Sequence, residues 1–128
     1  MRYLLDTHTF IWWDSNASDL SSTVFKLLKN PDNAFWLSIA SIWEMQIKYE
    51  ASKLTLRMPL PDIVQHQQKE NRIELLPITL RHVLGLDGLP LHHKDPFDRI
   101  LIAQAQVEQL TLVSHDSSFA QYGVPVVW

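Results

Sequence analysis

Cysteine is absent from the 128 residues, which removes disulfides, thiolate-ligated zinc and thiol nucleophiles together. Nothing in the chain therefore asks for an oxidising compartment. Glycine is scarce, at Gly85, Gly88 and Gly123 alone, so no glycine-rich loop can cradle a nucleotide's phosphates. No apolar run approaches the ~20 residues needed to cross a bilayer. The opening residues, MRYLLDTHTFIWW, lack a basic region followed by an unbroken apolar stretch, because Asp6 interrupts it. That argues against a signal peptide, and the expected location is cytoplasmic. An excess of positive charge is also missing, the formal net charge being −3. Proteins that hold nucleic acid by charge alone are usually basic. Any such contact here must use a local basic patch or a bound cation.

What is present is enough apolar material for a core, 46% of the residues. A chain of this length supports a single domain over 1–128 and can bury roughly 65–70% of its unfolded surface. The patterning predicts strands at Arg2–Leu5, Ala34–Leu37, Ile73–Leu76, Leu110–Val113 and Val124–Val127. Between them it predicts helices over Ser18–Leu28, Ile39–Ala51 capped by Ser38, Pro59–Asn71, Thr79–Leu86 and Asp95 to about Gln109, with a helical turn at Ser117–Gln121. In the second of these, Ile39, Trp43 and Ile47 recur every four residues and mark the expected apolar face. Strands alternating with helices imply an α/β sandwich around a mostly parallel sheet. Ligands of such sheets bind beyond the carboxyl ends of the strands.

Several acids fall where that crevice would be. Asp6 directly follows the first strand, though Asp also suits a helix cap or turn there. Glu44 lies within an apolar helix, either desolvated and in need of a partner or at the edge of the stripe and paired to Lys48 four residues on. Asp95, Pro96 and Asp98 suit the N-cap, N1 and N3 positions of a helix. Asp98 could also project into a crevice, and Arg99 beside it could pair with an acid or a phosphate. Asp116 follows the fourth strand and could likewise be a cap. One at a time, capping or solvation explains each acid. Together, four carboxylates at one rim would repel and take up protons unless a hard cation such as Mg²⁺ or Mn²⁺ joined them.

Four segments carry a family resemblance: Leu4-Leu5-Asp6-Thr7-His8, Ser41-Ile42-Trp43-Glu44, Asp95-Pro96-Phe97-Asp98-Arg99 running into Leu101-Ile102-Ala103-Gln104-Ala105, and Val113-Ser114-His115-Asp116 followed by Phe119. In order and spacing they resemble PIN-domain proteins, and within these the VapC-type toxins of toxin–antitoxin pairs. The resemblance implies a PIN-like α/β/α sandwich and an Mg²⁺- or Mn²⁺-dependent endoribonuclease. Asp6, Glu44, Asp98 and Asp116 would be its acidic quartet. Asp6 and Asp116 would be the first metal ligands, and Glu44 and Asp98 would ligate a second cation or orient water. Ser114 would help to order water, and Thr7 would support the first acid's loop. His8 stands where many relatives carry Asn. The implied reaction is hydrolysis, in which the cation makes water a better nucleophile and stabilises charge developing on phosphate. The implied partners are RNA, a cognate antitoxin and a second copy of the chain. Lys48, Lys94 and Arg99 are the local bases that could meet RNA.

The remaining features read as structural. His92 and His93 are adjacent, so on an extended chain they point to opposite faces and make a poor metal pair; a loop or surface role is expected. Trp12, Trp36 and Trp43 are expected in the core rather than as base-stacking platforms. Trp13 and Trp128 are candidates for exposure. The run Phe10-Ile11-Trp12-Trp13 is a candidate surface for a homodimer or an antitoxin. Competing functions fit less well. A haloacid-dehalogenase-like phosphatase would want a second Asp where His8 stands, together with a late lysine. A receiver-type signalling module would want an acidic pair at the first strand and the same lysine. No lysine follows Lys94. A PIN-fold RNA-processing nuclease without a toxin role is the nearest alternative.

Overall fold

The computed structural model describes residues 1–128. In chain order the elements are β1 (Arg2–Leu5), α1 (Thr7–Ser15), a 3₁₀ turn (Ala17–Asp19), α2 (Ser22–Lys29), β2 (Ala34–Ser38), α3 (Ile39–Glu50), α4 (Leu60–Glu70), β3 (Glu74–Leu76), α5 (Leu80–Leu84), α6 (Pro96–Glu108), β4 (Thr111–Val113), a second 3₁₀ segment (Ser117–Tyr122) and β5 (Val126–Val127). The strands form one five-stranded sheet in the order β3-β2-β1-β4-β5, and every pairing is parallel. The expected α/β/α architecture is therefore observed.

Successive side chains of a strand face opposite sides of a sheet, and here the two sides have separate cores. Tyr3 and Leu5 of β1, Phe35 and Leu37 of β2 and Val113 of β4 join Phe10, Val24, Leu28, Met45, Leu60 and Ile63 from α1 to α4. Leu4 and Leu112 turn the other way, onto Leu101, Ile102 and Ala105 of α6 and Phe119 and Tyr122 of the second 3₁₀ segment.

Four sequence expectations need correction. The stretch after Asp6 is a nine-residue helix, α1, with Asp6 as its N-cap. Phe10 lies in the core at 1% exposure and is unavailable to a partner. The helix expected over Ser18–Leu28 begins later, at Ser22, with Ser21 as its cap. On α3 the expected apolar face is the exposed one: Ile39, Trp43 and Ile47 face outward, Trp43 at 59% exposure. The buried residues are Ala40, Ser41, Glu44 and Met45: Met45 fills the core while Ala40 and Ser41 leave room for close approach. The tryptophans also sort differently, since Trp12, Trp13, Trp36 and Trp128 are all half-buried.

Strand order places the site. From β1 the chain steps outward through β2 to β3, then returns to the other side of β1 for β4. The order reverses between β1 and β4, and a crevice opens beyond the strand ends at such a switch point. Asp6 and Ser114 follow those two strands.

Candidate active site

A cleft of about 560 Å³ opens at that point, and Asp6, Glu44, Asp95, Asp98 and Asp116 all line it, with Thr7, His8, Trp12, Lys48 and His115. Four separate stretches of chain deliver these acids: the end of β1, the middle of α3, the start of α6 and the loop after β4.

Asp6 is buried, and both its oxygens are held. Oδ1 accepts from Thr9 N–H at 2.8 Å, satisfying an orphan donor of the first helical turn. Oδ2 accepts from Ser114 Oγ at 2.6 Å, and the same hydroxyl accepts from Asp116 N–H at 3.0 Å. Ser114 thus ties the acid of β1 to the acid beyond β4. Thr9 Oγ1 donates to the Val113 carbonyl at 3.0 Å, fixing α1 to the same strand end.

Glu44 meets both descriptions suggested by its sequence, being buried at 6% exposure and also paired to Lys48. Thr7 Oγ1 donates to Oε1 at 2.7 Å and lies 3.0 Å from Ser41 Oγ. Lys48 Nζ, one turn along, donates to Oε2 at 2.7 Å. Asp95 is the N-cap of α6, accepting from Phe97 N–H at 2.8 Å, and it lines the cleft as well.

Asp98 is half-buried, and its carboxyl is pushed up to about 6 by desolvation first and the charge of Asp95 second; His93 opposes them, and Glu44 and Asp6 add smaller pushes upward. Burial is thus the main reason its charged form is disfavoured, with the neighbouring acids adding to it. Asp116 behaves oppositely. Burial raises it, but hydrogen bonds from the Ser118 hydroxyl, His93 and the Ser118 N–H outweigh that and hold it below the usual range.

The raised Asp98 carboxyl has a consequence for stability. An acid held above its ordinary value costs the fold free energy when ionised, fully above about pH 6. The cost fades as pH falls and is gone below the unfolded value near 4. In EDTA at pH 7.5, Asp98→Asn is therefore expected to stabilise by roughly 1–2 kcal/mol after solvent screening. Thermal melts at pH 7.5 and 3 check this: the variant's higher Tm should vanish at the lower pH. A Tm at or below wild type at pH 7.5 would contradict it.

The other residues singled out by sequence divide. Arg99 is turned away from the cleft, its guanidinium donating to the carbonyls of Pro90 at 2.9 Å and Leu89 at 3.3 Å. It secures the loop before α6. Lys94 is exposed and outside the lining, whereas Lys48 is the lysine within it.

His93 lies in the loop before α6, as expected, but the surface part of that expectation is corrected. Its side chain is 10% exposed and stacks on Phe119 with ring centroids 4.8 Å apart. Nδ1 lies 3.1 Å from the Tyr122 hydroxyl and Nε2 lies 3.2 Å from Asp116 Oδ2. His92 is exposed, as expected. Sequence carried one weak signal for His93, its place two residues before the helix-opening Asp95; its contact with Asp116 spans 23 residues and no local pattern could reveal it.

All of the acids are oxygen donors suited to a hard cation. No three of them converge closely enough to form a ready-made cage. The arrangement is a set of individually oriented carboxylates around shared space.

The profile of the PIN domain family matches residues 3–125. A comparison with curated protein sequences gives no match. Among solved structures, the VapBC2 complex of Rickettsia felis, bound to a DNA fragment from its promoter, has a chain with a TM-score of 0.75 at 18% identity, covering 99% of this chain and 98% of that one. VapBC-1 of nontypeable Haemophilus influenzae gives 0.69 at 16% identity, covering 99% and 97%. The PIN domain endonuclease Utp24 gives 0.53 at 16% identity, covering 98% and 82%. Identities this low establish a shared fold. The family itself follows from the profile match over nearly the full length: the chain belongs to the PIN domain family.

Proposed function

We propose that this chain is a divalent-metal-dependent endoribonuclease, a cytoplasmic single-domain protein over 1–128 that hydrolyses RNA phosphodiester bonds as the toxin of a toxin–antitoxin pair. The carrying observation is that Asp6, Glu44, Asp98 and Asp116 line one cleft at the switch point of a PIN fold. PIN domains are nucleases, and the VapBC complexes among the structural neighbours support the toxin role.

The donor set fits Mg²⁺ or Mn²⁺: every candidate ligand is a carboxylate, and five carboxylates line the one cleft. When bound, the cation would supply Lewis-acid stabilisation of phosphate charge and a stronger water nucleophile. Asp6 and Asp116 are the first choice of ligands, with Glu44 and Asp98 as ligands of a second ion or as acceptors that orient water. The protein's own contribution is orientation. Thr9 N–H and the Ser114 hydroxyl fix Asp6, Thr7 fixes Glu44, and Ser118 and His93 fix Asp116. Lys48, paired to Glu44, is the one lysine lining the cleft and would be the nearest base to the phosphate backbone.

Partner binding would use the outward face of α3. Its exposed Ile39 and Trp43 border a groove of about 490 Å³ shared with Leu60, Pro61 and Val64 of α4. A cognate antitoxin and a second copy of the chain are the proposed partners.

The test is cleavage of a structured-RNA pool by antitoxin-free protein, in Mg²⁺ or Mn²⁺ against EDTA, for wild type and Asp116→Asn. Cleavage should require metal and fall by about a hundredfold or more in the variant. Cleavage that survives both EDTA and the substitution would sink the mechanism.

A further inference from the structure

Beside the acids, the cleft has an aromatic wall. His8, two residues from Asp6, and His115, next to Asp116, are both exposed and both line the cleft, with the half-buried Trp12. The His8 and Trp12 ring centroids are 5.8 Å apart with planes tilted by 42°. Trp12 and His115 meet edge to face at 6.3 Å. Trp128 braces both from behind, 5.7 Å from Trp12 and 5.2 Å from His115. Trp12 and Trp128 rest against the main core, but the core does not account for His8 and His115, whose rings are open to solvent.

We propose that His8, Trp12 and His115 form a stacking subsite for one unpaired nucleobase, next to the acids where a cation would hold the phosphate. The identity of the polymer as RNA rests on the ribonuclease reading above. Charge is the first argument. One lysine faces five carboxylates across the cleft, so backbone attraction there is poor, whereas base stacking on aromatic rings needs no net charge. Shape is the second. A base inside a duplex is covered on both faces by its neighbours, so only a splayed, unpaired base can reach these rings. Stacking on a mixed indole and imidazole surface also tolerates any base, which implies selectivity for unpaired structure more than for sequence.

The experiment measures binding of 5′-labelled eight-nucleotide oligouridine and oligoadenosine, each alone and annealed to its complement, by fluorescence anisotropy with Ca²⁺ replacing Mg²⁺. Wild type should hold the single strands more tightly than the duplexes. Trp12→Ala should weaken single-strand binding about tenfold or more, and Trp12→Phe should restore most of it. His115→Ala, at an exposed position, should weaken it about two- to fivefold without altering Tm, which guards against misfolding of the Trp12 variant. Phe25→Ala, an exposed aromatic of α2 outside the cleft, should bind as wild type. Single-strand affinity unchanged in Trp12→Ala, or no preference for single strands in wild type, overturns the subsite.

A parallel cleavage assay separates the two readings. Metal-dependent cleavage with Trp12-independent binding rejects the subsite and keeps the nuclease. Trp12-dependent binding without cleavage in any metal rejects the nuclease and keeps the subsite.

Discussion

Asp6→Asn is expected to lower metal-dependent RNA cleavage by about 10³-fold while leaving the fold nearly intact. The two effects separate because the two oxygens of Asp6 have structural partners that Asn can also satisfy. An amide oxygen caps the Thr9 N–H as well as a carboxylate does, and Ser114, whose hydroxyl now donates to Oδ2, can accept from an amide instead. What Asn lacks is negative charge beside Asp116, and that charge is what would hold a hard cation. Cleavage rates and thermal melts in EDTA measured on the same preparation check the pair of claims. Activity within tenfold of wild type would remove Asp6 from the metal site. Loss of activity accompanied by a collapse in Tm would make Asp6 a structural cap instead.

Phe10→Ala is expected to cost about 3–5 kcal/mol of stability, a large share of the 5–15 kcal/mol typical of a domain. The Phe10 ring is 1% exposed among Leu5, Leu37 and Met45, and its removal leaves a cavity that strands and helices can fill only by shifting. α1 also carries Thr7, which orients Glu44, and Trp12 of the aromatic wall. Destabilisation should therefore reach the site, and activity should fall at temperatures where the wild type is fully folded. Urea titration checks the magnitude through a lowered midpoint at unchanged slope. A loss below about 1 kcal/mol would mean that α1 is not latched by this ring.

The predictions draw on different kinds of information. Asp6→Asn could be written from sequence, because an acid directly after an apolar strand, with Glu44, Asp98 and Asp116 in segments that resemble those of PIN-domain proteins, implies a rim of carboxylates. Phe10→Ala could not. The run Phe10-Ile11-Trp12-Trp13 is apolar at four consecutive positions and so has no helical period to read; it becomes a helix because Asp6 caps it and the sheet offers Phe10 a core.

Local chemistry likewise explains why the caps were legible. Ser38, Asp95 and Pro96 act through hydrogen bonds and backbone angles within three residues, and the structure has α3 and α6 begin where those residues stand. The alternation of short apolar runs with longer amphipathic ones was enough to imply a parallel α/β sheet, since each crossover must carry a helix.

By itself, then, the sequence determined the class of fold, most helix starts and the acids of the candidate site, because each depends on neighbours in the chain. Tertiary structure decided the rest. It set the strand order that opens the cleft between β1 and β4. It rotated α3 so that Ala40, Ser41 and Met45 are buried while Ile39, Trp43 and Ile47 face out, because Met45 fits the core space between the layers and Ala40 and Ser41 allow the helix to approach closely. It drew His93 onto Asp116 and turned Arg99 onto the carbonyls of Leu89 and Pro90. Contacts of this kind join residues through space, where packing density and hydrogen-bond satisfaction choose among partners that sequence spacing leaves equivalent.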